Sequence, residues 1–359
     1  MAVELLGAQA RPGSKTKVLI VDDSAIVRKL LAEALAAEPD LEVVGLAPDP
    51  FVARDKILSL QPDVLTLDIE MPRMDGLTFL KKLMKYHPLP VIVISSLGQA
   101  SSKSALEALQ NGAIEVLAKP GGPYSVGQLK HDLPHKVRAA AQAKLNRGPA
   151  QAPGKPPAPV GIAHAFNPAT VIAIGASTGG TEAIREVLTA LPNTSPGIVI
   201  VQHIPAVFSS AFANRLNDLC QIQVKEAVHG DVVRPGLALV APGNFHMTLI
   251  KRGNEYRVTV QDGPRVCYQR PSVDVLFESV AASAGADAIG ALLTGMGADG
   301  AAGMLKMKRA GARTIAQDEA SCVVFGMPRE AIEMGAADRV LPLNRIAGEL
   351  MLLSSPVHQ

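Results

Sequence analysis

Five short apolar runs, rich in Val and Ile, punctuate the first part of the chain: KVLIVDD (17–23), LEVVGLA (41–47), DVLTLDI (63–69), PVIVISS (90–96) and IEVLAKP (114–120). They lack the polar alternation of a strand with one wet face, so they read as parallel strands covered on both sides. Amphipathic helices fill the intervals. Ser24 is placed to cap the helix that carries Ile26, Val27, Leu30, Leu31, Ala34 and Leu35. Gly112, in LQNGAI, sits where a helix C-terminus takes a left-handed residue. This alternation closes as an open, doubly wound α/β sheet.

The stretch from Arg147 to Pro168, RGPAQAPGKPPAPVGIAHAFNP, has neither a helical nor a strand period and reads as a semi-extended linker. Beyond it the alternation resumes with VIAIGAS (171–177), GIVIVQH (197–203), LALVAP (237–242), DAIGALLTG (287–295) and RTIAQD (313–318). MTLIKRG and EYRVTVQD, joined around Gly253 and Asn254, predict an antiparallel hairpin over 247–262. The expected organisation is an extension at 1–16, a doubly wound (βα)5 unit at 17–137, a Pro/Ala-rich linker at 138–168, and a second parallel-sheet α/β unit with a hairpin at 169–353. A chain of 359 residues with 48% apolar content can bury two such cores.

Composition narrows the function classes. Lys plus Arg number 35 against 33 Asp plus Glu, and aromatics are 3%, a poor fit to nucleic acid as the main partner. Cys220, Cys267 and Cys322 are too scattered for a disulfide framework or a zinc site. No apolar run approaches the roughly 18 residues of a membrane span, and MAVELLGAQARPGS lacks the pattern of a secretory signal. The expectation is a cytoplasmic protein without membrane insertion, with a monomer as the simplest state.

The strand ends of the first unit carry an ordered set of polar residues. Asp22 and Asp23 end the first strand, Asp68 the third, Ser95 the fourth and Lys119 the fifth. In a parallel sheet these ends gather on one edge, where ligands bind. Three carboxylates there attract a hard cation such as Mg2+. One can take a phosphoryl group whose oxygens the metal and lysine neutralise. Singly, Asp22-Asp23 reads as a helix cap and Asp68 as a loop residue; five such residues in order favour the site. On VLIVDDS, DVLTLDIEMPRMDG, VIVISS and AKP, residues 17 to about 125 resemble the receiver domain of two-component response regulators. The resemblance implies Asp68 as phospho-acceptor, Mg2+ on Asp22, Asp23, Asp68 and the backbone carbonyl of Glu70, Ser95 and Lys119 as the switch pair, and a histidine kinase as phosphodonor. Val116 stands where many receivers carry an aromatic, which removes the side chain an aromatic-rotamer relay needs.

In the second unit, Gly175 to Gly179 fits G-x-S-x-G directly after a strand, exposing Ser177 on a tight turn. Glycine-flanked serines also cradle phosphates at helix starts, so the motif needs partners to be read as a nucleophile. His131, His135, His164 and His358 lie in polar or linker stretches, and His229 in a surface turn. His203, ending the adjacent strand candidate, is favoured over His246 as the base. Asp299, in LLTGMGADG, is the expected acid and a possible cap of the next helix, with Asp318 as runner-up. Gly295 and Gly297, around Met296, predict exposed N–H groups for an oxyanion hole. The order Ser, His, Asp departs from the Ser, acid, His order of α/β-hydrolases.

On IGASTGGTEAI, VQHIP, APGNFHM, RPSVDVLF, LTGMGADGAAGM and TIAQDEASCVVFGMPREAI, residues 170 to about 350 resemble the chemotaxis protein-glutamate methylesterase family, CheB. The resemblance implies the triad Ser177, His203 and Asp299, with the Met296 N–H in the oxyanion hole. It also implies a phosphorylation-activated hydrolase of glutamate γ-methyl esters on chemoreceptors. Glutaminase activity on the same receptors and an ester step without cofactor follow. Packing of the unphosphorylated receiver over the active site is expected. A non-catalytic, phospho-dependent receptor-binding module is the alternative. A transcriptional regulator would need a helix-turn-helix and a basic face, which this half lacks.

Overall fold

A computed structural model of the chain describes residues 15–96, 98–120, 123–145, 167 and 169–355. The expected 1–16 extension lies outside the described residues up to 14, and the expected linker does so at 146–166 and 168.

The first unit runs β1 (Thr16–Val21), α1 (Ala25–Ala36), β2 (Leu41–Ala47), α2 (Pro50–Leu60), β3 (Val64–Asp68), α3 (Gly76–Tyr86), β4 (Val91–Ser95), α4 (Gln99–Gln110), β5 (Glu115–Ala118) and α5 (Pro123–Ala141). Its five strands are all parallel, in the order β2-β1-β3-β4-β5. β3 and β4 are buried at every residue, as doubly covered strands must be. Ser24 caps α1 by accepting from the Val27 N–H. Gly112 takes the left-handed conformation, with φ +98°. α5 continues past residue 137 to Ala141, so the first residues assigned to the linker are instead its last turn. Arg138 there is ion-paired to Glu38 and Asp40.

The second unit runs β6 (Val171–Ala176), α6 (Gly180–Thr189), β7 (Gly197–Gln202), α7 (Ala206–Leu219), β8 (Gln223–Glu226), β9 (Val232–Val233), β10 (Leu237–Val240), β11 (His246–Arg252), β12 (Glu255–Gln261), α8 (Val273–Ala284), β13 (Ala288–Leu292), α9 (Ala301–Arg309), β14 (Arg313–Gln317), α10 (Met327–Glu333), β15 (Arg339–Leu341) and α11 (Leu343–Ser354). Seven strands form a sheet in the order β15-β14-β13-β6-β7-β10-β8, and β11-β12-β9 form a second, antiparallel sheet. β11 and β12 are the expected hairpin, turning at Gly253 with Arg252 opposite Glu255. β8, β9 and β15 were not expected. β8 is QVKE, with no apolar run, and β9 and β15 span two and three residues, too few for a periodic signal.

β6 lies between β13 and β7, so the chain departs to opposite sides of it. Such a switch opens a crevice beyond the strand ends, the usual ligand site of an open α/β sheet. The two units meet along helices. α4 packs against α7, where the Ser102 hydroxyl donates to the Val207 carbonyl at 3.2 Å. Leu106 and Leu109 join Phe212 and Leu216 in one continuous apolar core. No helix among the described residues is long and apolar enough to cross a membrane.

Candidate active site

Ser177 follows β6 directly. Its N–H donates to the Thr294 carbonyl at 3.0 Å, and its own carbonyl accepts from Gly180 N at 2.7 Å and Gln202 Nε2 at 2.8 Å. Gly179 completes the turn at φ +77°, where a Cβ would come within 2.6 Å of Val323. A side chain is therefore excluded twice at that position, by conformation and by space. β6 pairs with β7 so that Ala176 faces Gln202, and the His203 N–H donates to the Ala176 carbonyl at 3.1 Å. This register places the favoured histidine beside the serine turn.

His203 Nε2 lies 2.8 Å from Asp299 Oδ2, both side chains being 3% exposed. Asp299 also accepts from Ser272 Oγ at 2.8 Å, Val273 N at 2.8 Å and Asp274 N at 2.9 Å. Burial pushes the Asp299 carboxyl up, but the hydrogen bond and charge of His203, with the N–H groups of Asp274 and Val273, outweigh it and leave the pKa lowered. An ionised Asp299 accepts from Nε2–H, which leaves Nδ1 as the basic nitrogen of the ring. Nδ1 is buried and has no hydrogen-bond partner among the described residues.

Ser177, His203, Asp299 and Met296 line one cleft. Gly295 N–H is committed to the Val324 carbonyl at 3.1 Å, so of the two glycines flanking Met296 it is not the exposed donor expected. The alternatives lie elsewhere. His246 is held through both ring nitrogens by the backbone of Pro264 and Ser272. Asp318 accepts from the N–H and hydroxyl of Ser321.

The opposite wall comes from the first unit. Leu117, His131, His135, Lys136 and Ala139 line the same cleft. The rings of His131 and His135 pack on Tyr268 with centroids 5.6 and 6.2 Å away. Glu115 Oε2 accepts from the Thr178 hydroxyl at 3.1 Å and from Lys136 Nζ at 2.7 Å, binding β5 to the residue next to Ser177. Sequence places both histidines in polar stretches with no sign of a site; only the docking of α5 brings them here.

The carboxylates of the first unit also converge. Oxygens of Asp22, Asp23 and Asp68 lie within 4.8 Å of one another. Lys119 Nζ is 2.7 Å from Asp68 Oδ2 and 3.4 Å from Asp22 Oδ2. Burial, then repulsion from Asp22, raise the Asp68 pKa to about 6 against the Lys119 and Glu70 N–H bonds. Burial likewise raises Asp22. Burial works against the Lys119 charge, but its bonds and attraction to Asp68 and Asp22 raise its pKa. One ammonium among three carboxylates leaves a net negative hollow, in which buried Asp22 Oδ2 meets Lys119 Nζ only at the longer distance of 3.4 Å. The donor set fits a hard divalent cation. Ser95 lies beside this hollow, its hydroxyl donating to the Ser101 carbonyl at 3.3 Å. The Glu70 carboxylate accepts from the Ser96 and Ser101 hydroxyls. Val116 is packed in the core.

Comparison with known proteins gives two family matches: CheB methylesterase over residues 172–350 and response regulator receiver domain over 18–128. The chain is 58% identical to protein-glutamate methylesterase/protein-glutamine glutaminase 2 of Syntrophus aciditrophicus, over 94% of this chain and 99% of that one. It is 56% identical to protein-glutamate methylesterase/protein-glutamine glutaminase 4 of Anaeromyxobacter dehalogenans, over 97% of each. The crystal structure of the Thermotoga maritima CheB methylesterase catalytic domain superposes with a TM-score of 0.50 at 38% identity, covering 51% of this chain and 98% of that one.

Proposed function

The chain belongs to the CheB methylesterase family, and from that membership we propose that it hydrolyses glutamate γ-methyl esters, and deamidates glutamines, on chemoreceptors under control of its receiver domain. The observation that carries this reading is the buried His203–Asp299 pair beside Ser177 in one cleft.

Ser177 Oγ attacks the ester carbonyl while His203 Nδ1 takes its proton. Asp299, on Nε2, orients the ring and stabilises the imidazolium. The Met296 N–H supports the oxyanion. As the intermediate collapses, His203 returns that proton to the leaving methoxide oxygen, giving methanol, or to the leaving nitrogen of a glutamine, giving ammonia. Water, deprotonated by the same nitrogen, releases the glutamate. Nucleophile, base and orienting acid are all side chains, so the ester step draws on no cofactor.

Regulation works through the shared cleft wall. Asp68 takes a phosphoryl group from a histidine kinase. Asp22, Asp23 and Asp68, with the Glu70 carbonyl, would hold Mg2+, which neutralises phosphoryl oxygens when bound. Lys119 pairs with the new phosphoryl group, and Ser95 turns from Ser101 to donate to it. The receiver then loosens its hold on the cleft, where Glu115 grips Thr178.

The test is methanol release from methylated receptor membranes by wild type and Ser177→Ala, each with and without a small phosphodonor and Mg2+. Release by wild type alone, rising with phosphodonor, is expected. Release by Ser177→Ala would overturn the assignment of the nucleophile, and no release under any condition would favour the binding-module reading.

A further inference from the structure

A chain of hydrogen bonds behind Asp299 is unused by the mechanism above. His246 Nε2 donates to the Pro264 carbonyl at 2.8 Å, which leaves Nδ1 as an acceptor. The Ser272 N–H donates to that nitrogen at 3.3 Å. Ser272 Oγ then donates to Asp299 Oδ1 at 2.8 Å and accepts from Val275 N at 3.4 Å as the cap of α8. Ser272 is fully buried, and His246 is 4% exposed. The hydroxyl proton therefore goes to Asp299, and the lone pair to the helix.

Three successive residues, Ser272, Val273 and Asp274, converge on one carboxylate at the start of α8. A helix start offers unpaired N–H groups and the positive end of the dipole. Asp299 arrives from a different loop, twenty-five or more residues away in sequence. The terminal torsion of an aspartate is broad and two-fold, so a bond to His203 alone would not fix the carboxylate plane. Ser272 Oγ and the Asp274 N–H on Oδ1, with the Val273 N–H beside His203 on Oδ2, do so and keep Oδ2 aimed at the ring.

We infer that Ser272 is a positioning residue for the esterase: its hydroxyl locks Asp299 for His203, and His246 in turn locks Ser272. The inference rests on the hydrolase reading above. It also accounts for Ser272, Val273 and Asp274 of RPSVDVLF as support for the acid, while Arg270 of the same stretch lines the cleft.

Ser272→Gly separates the two duties of the serine, because glycine is nearly as good a helix cap but carries no hydroxyl. In the full-length protein with phosphodonor and Mg2+, Ser272→Gly should lower kcat for methanol release about 10-fold or more with KM unchanged. Ser272→Thr, which restores the hydroxyl, should recover most of it. A fluorophosphonate probe, which needs only an activated Ser177, should label Ser272→Gly correspondingly slower at an unchanged unfolding temperature. Slowed labelling in a chain whose wild type labels but releases no methanol would support the inference while refuting the substrate reading. Wild-type rates in Ser272→Gly, failure of threonine to rescue, or losses that merely follow unfolding would each overturn it.

Discussion

Glu115→Gln tests whether the receiver restrains the esterase through the contact beside Ser177. Glu115 is 6% exposed and Thr178 is 1% exposed, so the hydrogen bond between them is shielded from water. The carboxylate serves Thr178 and Lys136 from a single oxygen, Oε2. The amide keeps the shape but loses the charge, and the half-buried Lys136 ammonium loses its ionic partner. A hydrogen bond to a charged group contributes about 1.5–3 kcal/mol net. The pair with Lys136 lies within the receiver and is lost from open and closed states alike, so only the weakened Thr178 bond bears on the balance between them. Each 1.4 kcal/mol or so is a tenfold change in an equilibrium. The glutamine carbonyl still accepts from Thr178 as a neutral bond worth about 0.5–1.5 kcal/mol, so about 1–1.5 kcal/mol is lost and, where the closed state dominates, the open fraction should rise about 5- to 10-fold. The assay is initial methanol release without phosphodonor, compared with release at saturating phosphodonor and Mg2+. Basal activity should rise by that factor, saturated activity should stay near wild type, and the stimulation ratio should shrink to match. A basal rate equal to wild type, with the stimulation ratio intact, would refute this contact as a restraint. A rise in both rates together would show that the substitution acts on the chemistry instead.

Asp299→Asn should lower kcat by about 10⁴-fold, the scale seen when an orienting acid of a triad is replaced by its amide; steady-state methanol release checks this, and a loss under tenfold would remove Asp299 from its role. Deleting residues 1–145 should raise the unstimulated rate toward the phosphorylated one; a fragment no faster than the unphosphorylated full chain would exclude simple blocking. Asp68→Asn bears on stability. The folded-state pKa of Asp68 is raised to about 6 from 3.8, so its protonated form favours folding at low pH and that contribution is lost as pH rises through about 6. The asparagine variant should therefore unfold at a higher temperature than wild type at pH 8 without Mg2+, the advantage shrinking as pH falls from about 6 toward 4. Thermal scans in chelator check the trend, and an advantage independent of pH would contradict it.

Most strands of the two parallel sheets, the hairpin and the polar residues at the strand ends were legible in sequence because their signals are local. A doubly covered strand shows as an apolar run, a cap as a serine before a helix, a tight turn as glycines. Parallel strands bring such ends to one edge whatever the details between them, so Asp22, Asp68 and Lys119 could be grouped without a structure. β8, β9 and β15 were not legible, because a polar run such as QVKE or an element of two or three residues takes its identity from a neighbouring strand. The preference for His203 over His246 had strand adjacency behind it, but only the register of β6 against β7 sets His203 beside the turn that carries Ser177.

What tertiary structure alone decided is the company each site keeps. Nothing near Glu115 in sequence points to Thr178, 63 residues on. Nor does His131 or His135 announce itself as a wall of the cleft, or Ser272 as the hand on Asp299. Composition and period report how a segment buries its own side chains against whatever covers it. Which surface does the covering depends on contacts across long loops, whose closure costs entropy and is repaid only by the packed whole.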